Sequence, residues 1–294
     1  MTLGRLAPAA VPLAIAALLR STLLLSTLFS ALFSTDAPAS TASPRARGDW
    51  GVAYAPGEPA VHDRSPRPAI VFLHGMWASP EDSCEAFESA ATPFGFLVCP
   101  RGNAPLKVPA DGGGWIDDDS DAGLKMWSGS AADAARSIHA ALDAADALAP
   151  GRRAAEGGTL VGFSNGAYFA AEVACSEPGR WTGLVLMSMK LDLDPARLRR
   201  AGVSRVVLAA GDRDEARVSM QALAARLTQH AQETQKDGGA AGADAGRGLE
   251  SKFMSLGDVG HTFPSDMGAR MCDAISWVRG GAGTSTESPC KTHR

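Results

Sequence analysis

The chain carries no excess of positive charge, few aromatic residues and no recognisable metal-ligand spacing. Its formal net charge is −4, and aromatic residues make up 6% of it. That balance lacks the basic footprint by which proteins hold nucleic acid or an anionic membrane surface. No paired Cys-x-x-Cys or Cys-x-x-His spacing suggests a metal site. The acidic run Asp117-Asp118-Asp119-Ser120-Asp121 has Ala122 where a calcium loop needs glycine, and Ser128 where it needs a bidentate glutamate. It reads as a solvated loop. No internal repeat is visible, and the one long apolar stretch, at the N-terminus, is broken by Arg20 into pieces of 14 and 13 residues. Each is shorter than the roughly 20 residues that span a bilayer. What remains is a chain of 294 residues, 45% hydrophobic and 20% charged, enough for one sizeable core.

The N-terminus differs from the rest. Arg5 is followed by Leu, Ala, Ile and Phe as far as Phe33, and then by small residues. A basic start, an apolar stretch and a small-residue exit describe an export signal over 1–35, with a retained membrane anchor as the alternative. Secretion or periplasmic export is the expected localisation, and contact with a membrane only if that segment is kept. Residues 36–48, rich in Ala, Ser, Thr and Pro, read as a disordered tether. The main domain is expected over 49–280, followed by a C-terminal tail over 281–294. Five cysteines fit an exported protein with one or two disulfides and an unpaired thiol. Cys84 with Cys99 and Cys272 with Cys290 are the local pairings; buried free thiols are the alternative.

From Asp49 onward strands and helices alternate. Apolar runs at 51–54, 69–73, 95–99, 159–163, 181–189, 203–210 and 252–256 are continuous rather than alternating, as in parallel strands buried on both faces. Helical periodicity marks 130–149, with Ser130 and Asp133 as a capping start, and also 215–230 and 266–277. Strands separated by helices of that length predict right-handed βαβ units in one doubly wound, mostly parallel α/β sheet, forming a single domain. Two segments lie outside this rhythm: a long loop over 101–129, and a Gly/Ala/Asp insertion over 236–248.

Four short segments carry the chemistry, each at the end of an apolar run: Phe72-Leu73-His74-Gly75, Gly162-Phe163-Ser164-Asn165-Gly166, Gly211-Asp212-Arg213-Asp214 and Gly260-His261. Gly-x-Ser-x-Gly is weak alone, but here a buried-strand run precedes it and a helical pattern follows. A serine on such a turn projects its hydroxyl above the sheet. The hydroxyl needs a base, and His261 is the best placed of six histidines. Asp212 and Asp214 are the candidate acids. The backbone N–H of Asn165 is one candidate donor to an oxyanion; Met76 is the other, with Trp77 next in line. His74 reads as a brace for that loop. Trp115, Met126 and Trp127, in the long loop on the ligand-binding side, are candidates to line a substrate pocket, as is Trp77.

The order of these segments, oxyanion loop, serine, acid, histidine, resembles that of the α/β-hydrolase superfamily over residues 50–279. Among its branches the chain is similar to compact dienelactone-hydrolase-like, carboxylesterase-like and polyhydroxybutyrate-depolymerase-like members, because 189–203 leaves room for only a short helix where many lipases insert a cap. The Gly-x-x-Asp spacing usual in that fold favours Asp214 as the acid. The resemblance implies cofactor-free hydrolysis of a small or polymeric carboxylic ester through an acyl-enzyme, with Ser164, Asp214 and His261 as the triad. An amidase or exopeptidase with the same triad, or a catalytically silent binding protein of the same fold, are the competing expectations.

Overall fold

A computed structural model describes residues 43–56, 65–76, 78–109, 115–118, 124–237, 248–280 and 290, without the side chains of 107–109, 115–118 and 234–237. The expected export signal, most of the tether, the 238–247 part of the insertion and all of the tail except Cys290 lie outside the described residues. Among the described residues no helix is long and apolar enough to cross a membrane.

Eight strands form one sheet: β1 (Arg45–Gly48), β2 (Gly51–Tyr54), β3 (Ala69–Leu73), β4 (Phe96–Pro100), β8 (Gly158–Phe163), β9 (Trp181–Met187), β10 (Arg205–Ala210) and β11 (Glu250–Ser255). Their order across the sheet is β1-β2-β4-β3-β8-β9-β10-β11. From β4 to β11 every neighbour is parallel, whereas β2 runs antiparallel to both β4 and β1. The chain leaves β3 for β4 on one side and later returns to β8 on the other. The topological switch therefore lies between β3 and β8, where ligands enter open α/β sheets.

Strand residues alternate between two cores. Val71 and Leu73 face the layer of α2 (Ala131–Asp146), α3 (Asn165–Ser176), α4 (Pro195–Arg200) and α5 (Arg217–Asp237). Ile70 and Phe72 face α1 (Pro80–Ala91) and α6 (Met267–Val278). This is the doubly wound α/β-hydrolase arrangement that the alternating pattern and the resemblance implied. α1, α2 and α4 begin on side-chain caps. Ser79 Oγ accepts from Asp82 N–H at 3.1 Å, and Ser130 and Asp133 form a reciprocal capping box. Only the six-residue α4 separates β9 from β10.

Three expectations need correction. The tether was to extend to residue 48, but Arg45–Gly48 is β1, an edge strand paired with β2. Arg45 and Arg47 are exposed and alternate with the small Ala46 and Gly48, so no apolar pattern announces it. The long loop over 101–129 contains β5 (Ala104–Pro109) paired antiparallel with β6 (Trp115–Asp118) and β7 (Lys125–Met126). Lys, Pro and Asp interrupt those strands, which therefore show no apolar run. The helix expected over 215–230 starts two residues later and extends to Asp237. Both cysteine pairs form, leaving Cys175 as the free thiol among the described residues.

Candidate active site

Ser164 occupies the turn between β8 and α3 with φ 54° and ψ −123°, a conformation that strains any residue bearing a Cβ. Its neighbours hold it there. Ser164 N–H donates to Met187 O at 2.9 Å, and Ser164 O accepts from Ala167 N–H at 2.9 Å. The flanking glycines are required by space. A Cβ on Gly162 would lie 2.5 Å from Ala167 Cα, and one on Gly166 would lie 2.1 Å from Leu73 O. Strand, turn and helix thus approach too closely for a side chain at either position.

The imidazole of His261 lies between serine and acid: Nε2 is 2.9 Å from Ser164 Oγ, and Nδ1 is 3.2 Å from Asp214 Oδ2. The other carboxylate oxygen of Asp214 accepts from Ala216 N–H at 2.8 Å, and the side chain is 2% exposed. Both oxygens are thus engaged and the carboxylate is held in one position. Asp212 points elsewhere, accepting from Ser255 Oγ at 2.7 Å and pairing with Arg217 at 3.3 Å.

The acid and histidine loops are laced together. Asp212 N–H donates to Gly257 O, Arg213 N–H to Val259 O, and the Arg213 guanidinium to Asp258 O at 2.8 Å. Gly211 permits this approach, since a Cβ there would lie 2.2 Å from Val259 O. His261 also meets one ring of an aromatic cluster. The Phe163 ring is 5.0 Å from the imidazole, Phe263 is 4.6 Å from Phe163, and Phe263 also contacts Phe72 and Phe87.

Met76 lies on the loop after β3, and Asn165, next to Ser164, is the first residue of α3. His74 braces the loop. It is buried, its Nδ1 is 2.8 Å from Gly75 O, and its Nε2 accepts from Gly102 N–H at 3.1 Å. Because Nε2 accepts, Nδ1 carries the proton and the ring is neutral. Burial foremost holds its pKa below the usual histidine range.

Trp127 does not line a pocket. It is fully buried, its indole N–H donates to His74 O at 3.0 Å, and its main-chain N–H donates to Asn165 Oδ1 at 2.9 Å. An indole placed on the ligand side by chain position turns inward because its N–H finds a carbonyl there. Of the other proposed pocket residues, Trp77 and the side chain of Trp115 lie outside the described residues. Met126 is half-buried in β7. The sequence reading missed Phe263, two residues beyond the histidine, and the Arg213–Asp258 link between loops. Both are contacts between segments far apart in sequence, with no local periodicity to betray them.

Comparison with known proteins gives one family. The sequence profile of the phospholipase/carboxylesterase family matches residues 60–206, a span that includes His74 and Ser164 and ends before Asp214 and His261. No curated protein matches the sequence. Among solved structures, Arabidopsis thaliana SOBER1 is 16% identical, covering 72% of this chain and 99% of that one, with a TM-score of 0.47. A carboxylesterase from Mesorhizobium loti is 20% identical, covering 74% and 90%, with a TM-score of 0.44. FphF, a fluorophosphonate-binding serine hydrolase of Staphylococcus aureus, is 11% identical, covering 81% and 97%, with a TM-score of 0.48.

Proposed function

The chain belongs to the phospholipase/carboxylesterase family, and on that footing we propose that it hydrolyses carboxylic esters through an acyl-enzyme made on Ser164. The observation that carries this reading is the unbroken contact Ser164 Oγ–His261 Nε2–His261 Nδ1–Asp214 Oδ2, at 2.9 and 3.2 Å. His261 Nε2 takes the serine proton as Oγ attacks the ester carbonyl, while Asp214 orients the ring and balances the imidazolium. The N–H groups of Asn165 and Met76 receive the oxyanion. His261 then protonates the departing alkoxide, and the alcohol leaves. A water deprotonated by the same nitrogen attacks the acyl carbonyl; the acid departs, and the proton returns to Ser164. Each oxyanion donor is worth about 2.7–4 kcal/mol of barrier. The sequence of steps consumes one water and calls for no cofactor.

Two features favour small esters or an accessible polymer chain as substrate. The β9–β10 connection is one short helix, and the His261 side chain is 52% exposed. The two disulfides favour an oxidising compartment, in keeping with export. The test is a fluorophosphonate probe with peptide mapping, alongside p-nitrophenyl acetate turnover by Ser164→Ala. Label on the Ser164 peptide and loss of turnover to background are expected. Turnover unchanged in Ser164→Ala removes the proposal.

A further inference from the structure

We infer that Trp127 is a positioning residue, the clamp that sets the distance between the two oxyanion donors. The inference rests on the proposed placement of Met76 and Asn165 at the oxyanion. These donors belong to loops that leave different strands, β3 and β8, and are separated by 89 positions. Nothing local along the chain fixes one against the other. Trp127 joins them from a third segment: its main-chain N–H holds the Asn165 side chain at 2.9 Å, and its indole N–H holds His74 O, two residues before Met76, at 3.0 Å. The same residue thus grips the first residue of α3 and the loop after β3.

The clamp is itself anchored. Asn103 and Ser128 exchange two hydrogen bonds, Asn103 Nδ2 to Ser128 O at 2.8 Å and Ser128 N to Asn103 Oδ1 at 2.9 Å. Ala104 pairs with Met126 in the β5–β7 ladder. Gly102 lies against the Met126 backbone, where a Cβ would be 2.6 Å from Met126 O, and donates its N–H to His74 Nε2. The excursion between β4 and α2 therefore ends in a stitched strip that holds Trp127 against both loops. Both N–H groups of Trp127 are spent on the two loops, and its ring is fully buried. Such an arrangement acts on the transition state, since donors preset at the oxyanion need no reorganisation when charge develops. Substrate binding in the ground state does not need it.

The variant Trp127→Phe keeps an aromatic ring, smaller than the indole, and loses the indole N–H; Asn165→Ala keeps its own main-chain N–H but releases the other end of the clamp. Both are expected to lower kcat roughly ten- to a hundredfold, with KM changed little. Affinity for a trifluoromethyl ketone, which forms a tetrahedral alkoxide on the serine, is expected to fall by a similar factor. Combining the two changes is expected to cost less than the product of the single losses. The inference is overturned by unchanged kcat in both, or by a fall in kcat that leaves ketone affinity intact. If Trp127→Phe does not fold, Asn165→Ala alone decides between these results. Ser164→Ala separates the two levels: if it abolishes turnover while the clamp variants behave as wild type, the ester-hydrolase reading stands and the clamp does not.

Discussion

At the scale of single residues, two aspartates two positions apart have opposite fates. Asp214 is buried with one oxygen toward His261, while Asp212 is tied to Ser255 and Arg217. Asp214→Asn is expected to lower kcat by roughly 10⁴-fold, as loss of the orienting carboxylate favours the wrong imidazole tautomer. Asp212→Asn should stay within a few-fold of wild type in the same p-nitrophenyl acetate assay. His74 gives a different signal. Folding holds its pKa below the unfolded value of about 6.5. Its contribution to stability is therefore complete above that pH and is lost as pH falls, because the unfolded chain then binds a proton that the folded ring refuses. Urea unfolding from pH 7 to 5 should show stability declining on acidification. The decline should be shallower in His74→Gln, which keeps an acceptor for Gly102 N–H and does not titrate.

Secondary-structure elements show where local rules suffice. Ser130 and Asp133 cap α2 reciprocally, and nothing beyond the first turn is needed to explain why the helix starts there. Ser130→Ala should cost about 1 kcal/mol in denaturant unfolding, with the m-value unchanged. The β8–α3 elbow is the opposite case. Gly166 is helical, where alanine is intrinsically preferred, yet its Cβ would meet Leu73 O at 2.1 Å. Gly166→Ala is accordingly expected to destabilise the fold and displace Ser164, seen as lost turnover together with a lowered Tm. Capping is written within four residues and was legible; the β5–β7 strip was not. Its strands pair with one another rather than with the main sheet, and their interrupted composition resembles a loop.

Over the whole molecule the two faces of the sheet are held differently. Among the described residues four helices cover one face, and α1 and α6, each of twelve residues, line the other. Both disulfides lie on this second face: Cys84–Cys99 ties α1 to β4, and Cys272–Cys290 ties α6 to the chain beyond it. The separations are 15 and 18 residues, so each crosslink contributes about 3 kcal/mol in the chain-entropy description. Reduction should lower the unfolding free energy by an amount of that order. Hydrogen exchange should then show α1 and α6 losing protection before α2 and α3. Equal loss on both faces would contradict the assignment of the crosslinks to the thinner layer.

By itself the sequence determined the strand and helix alternation, the serine on its elbow, and the order of acid and histidine after it. Those features depend on apolar runs, capping residues and glycine spacing, all of which act within a few positions. It took the folded chain to bring Asp214 rather than Asp212 to His261, to pack Phe163 beside the imidazole with Phe263 against Phe163, and to turn Trp127 inward. Each of those outcomes depends on which loops the sheet brings side by side. Hydrogen bonds and ring contacts between segments dozens of residues apart leave no periodicity along the chain.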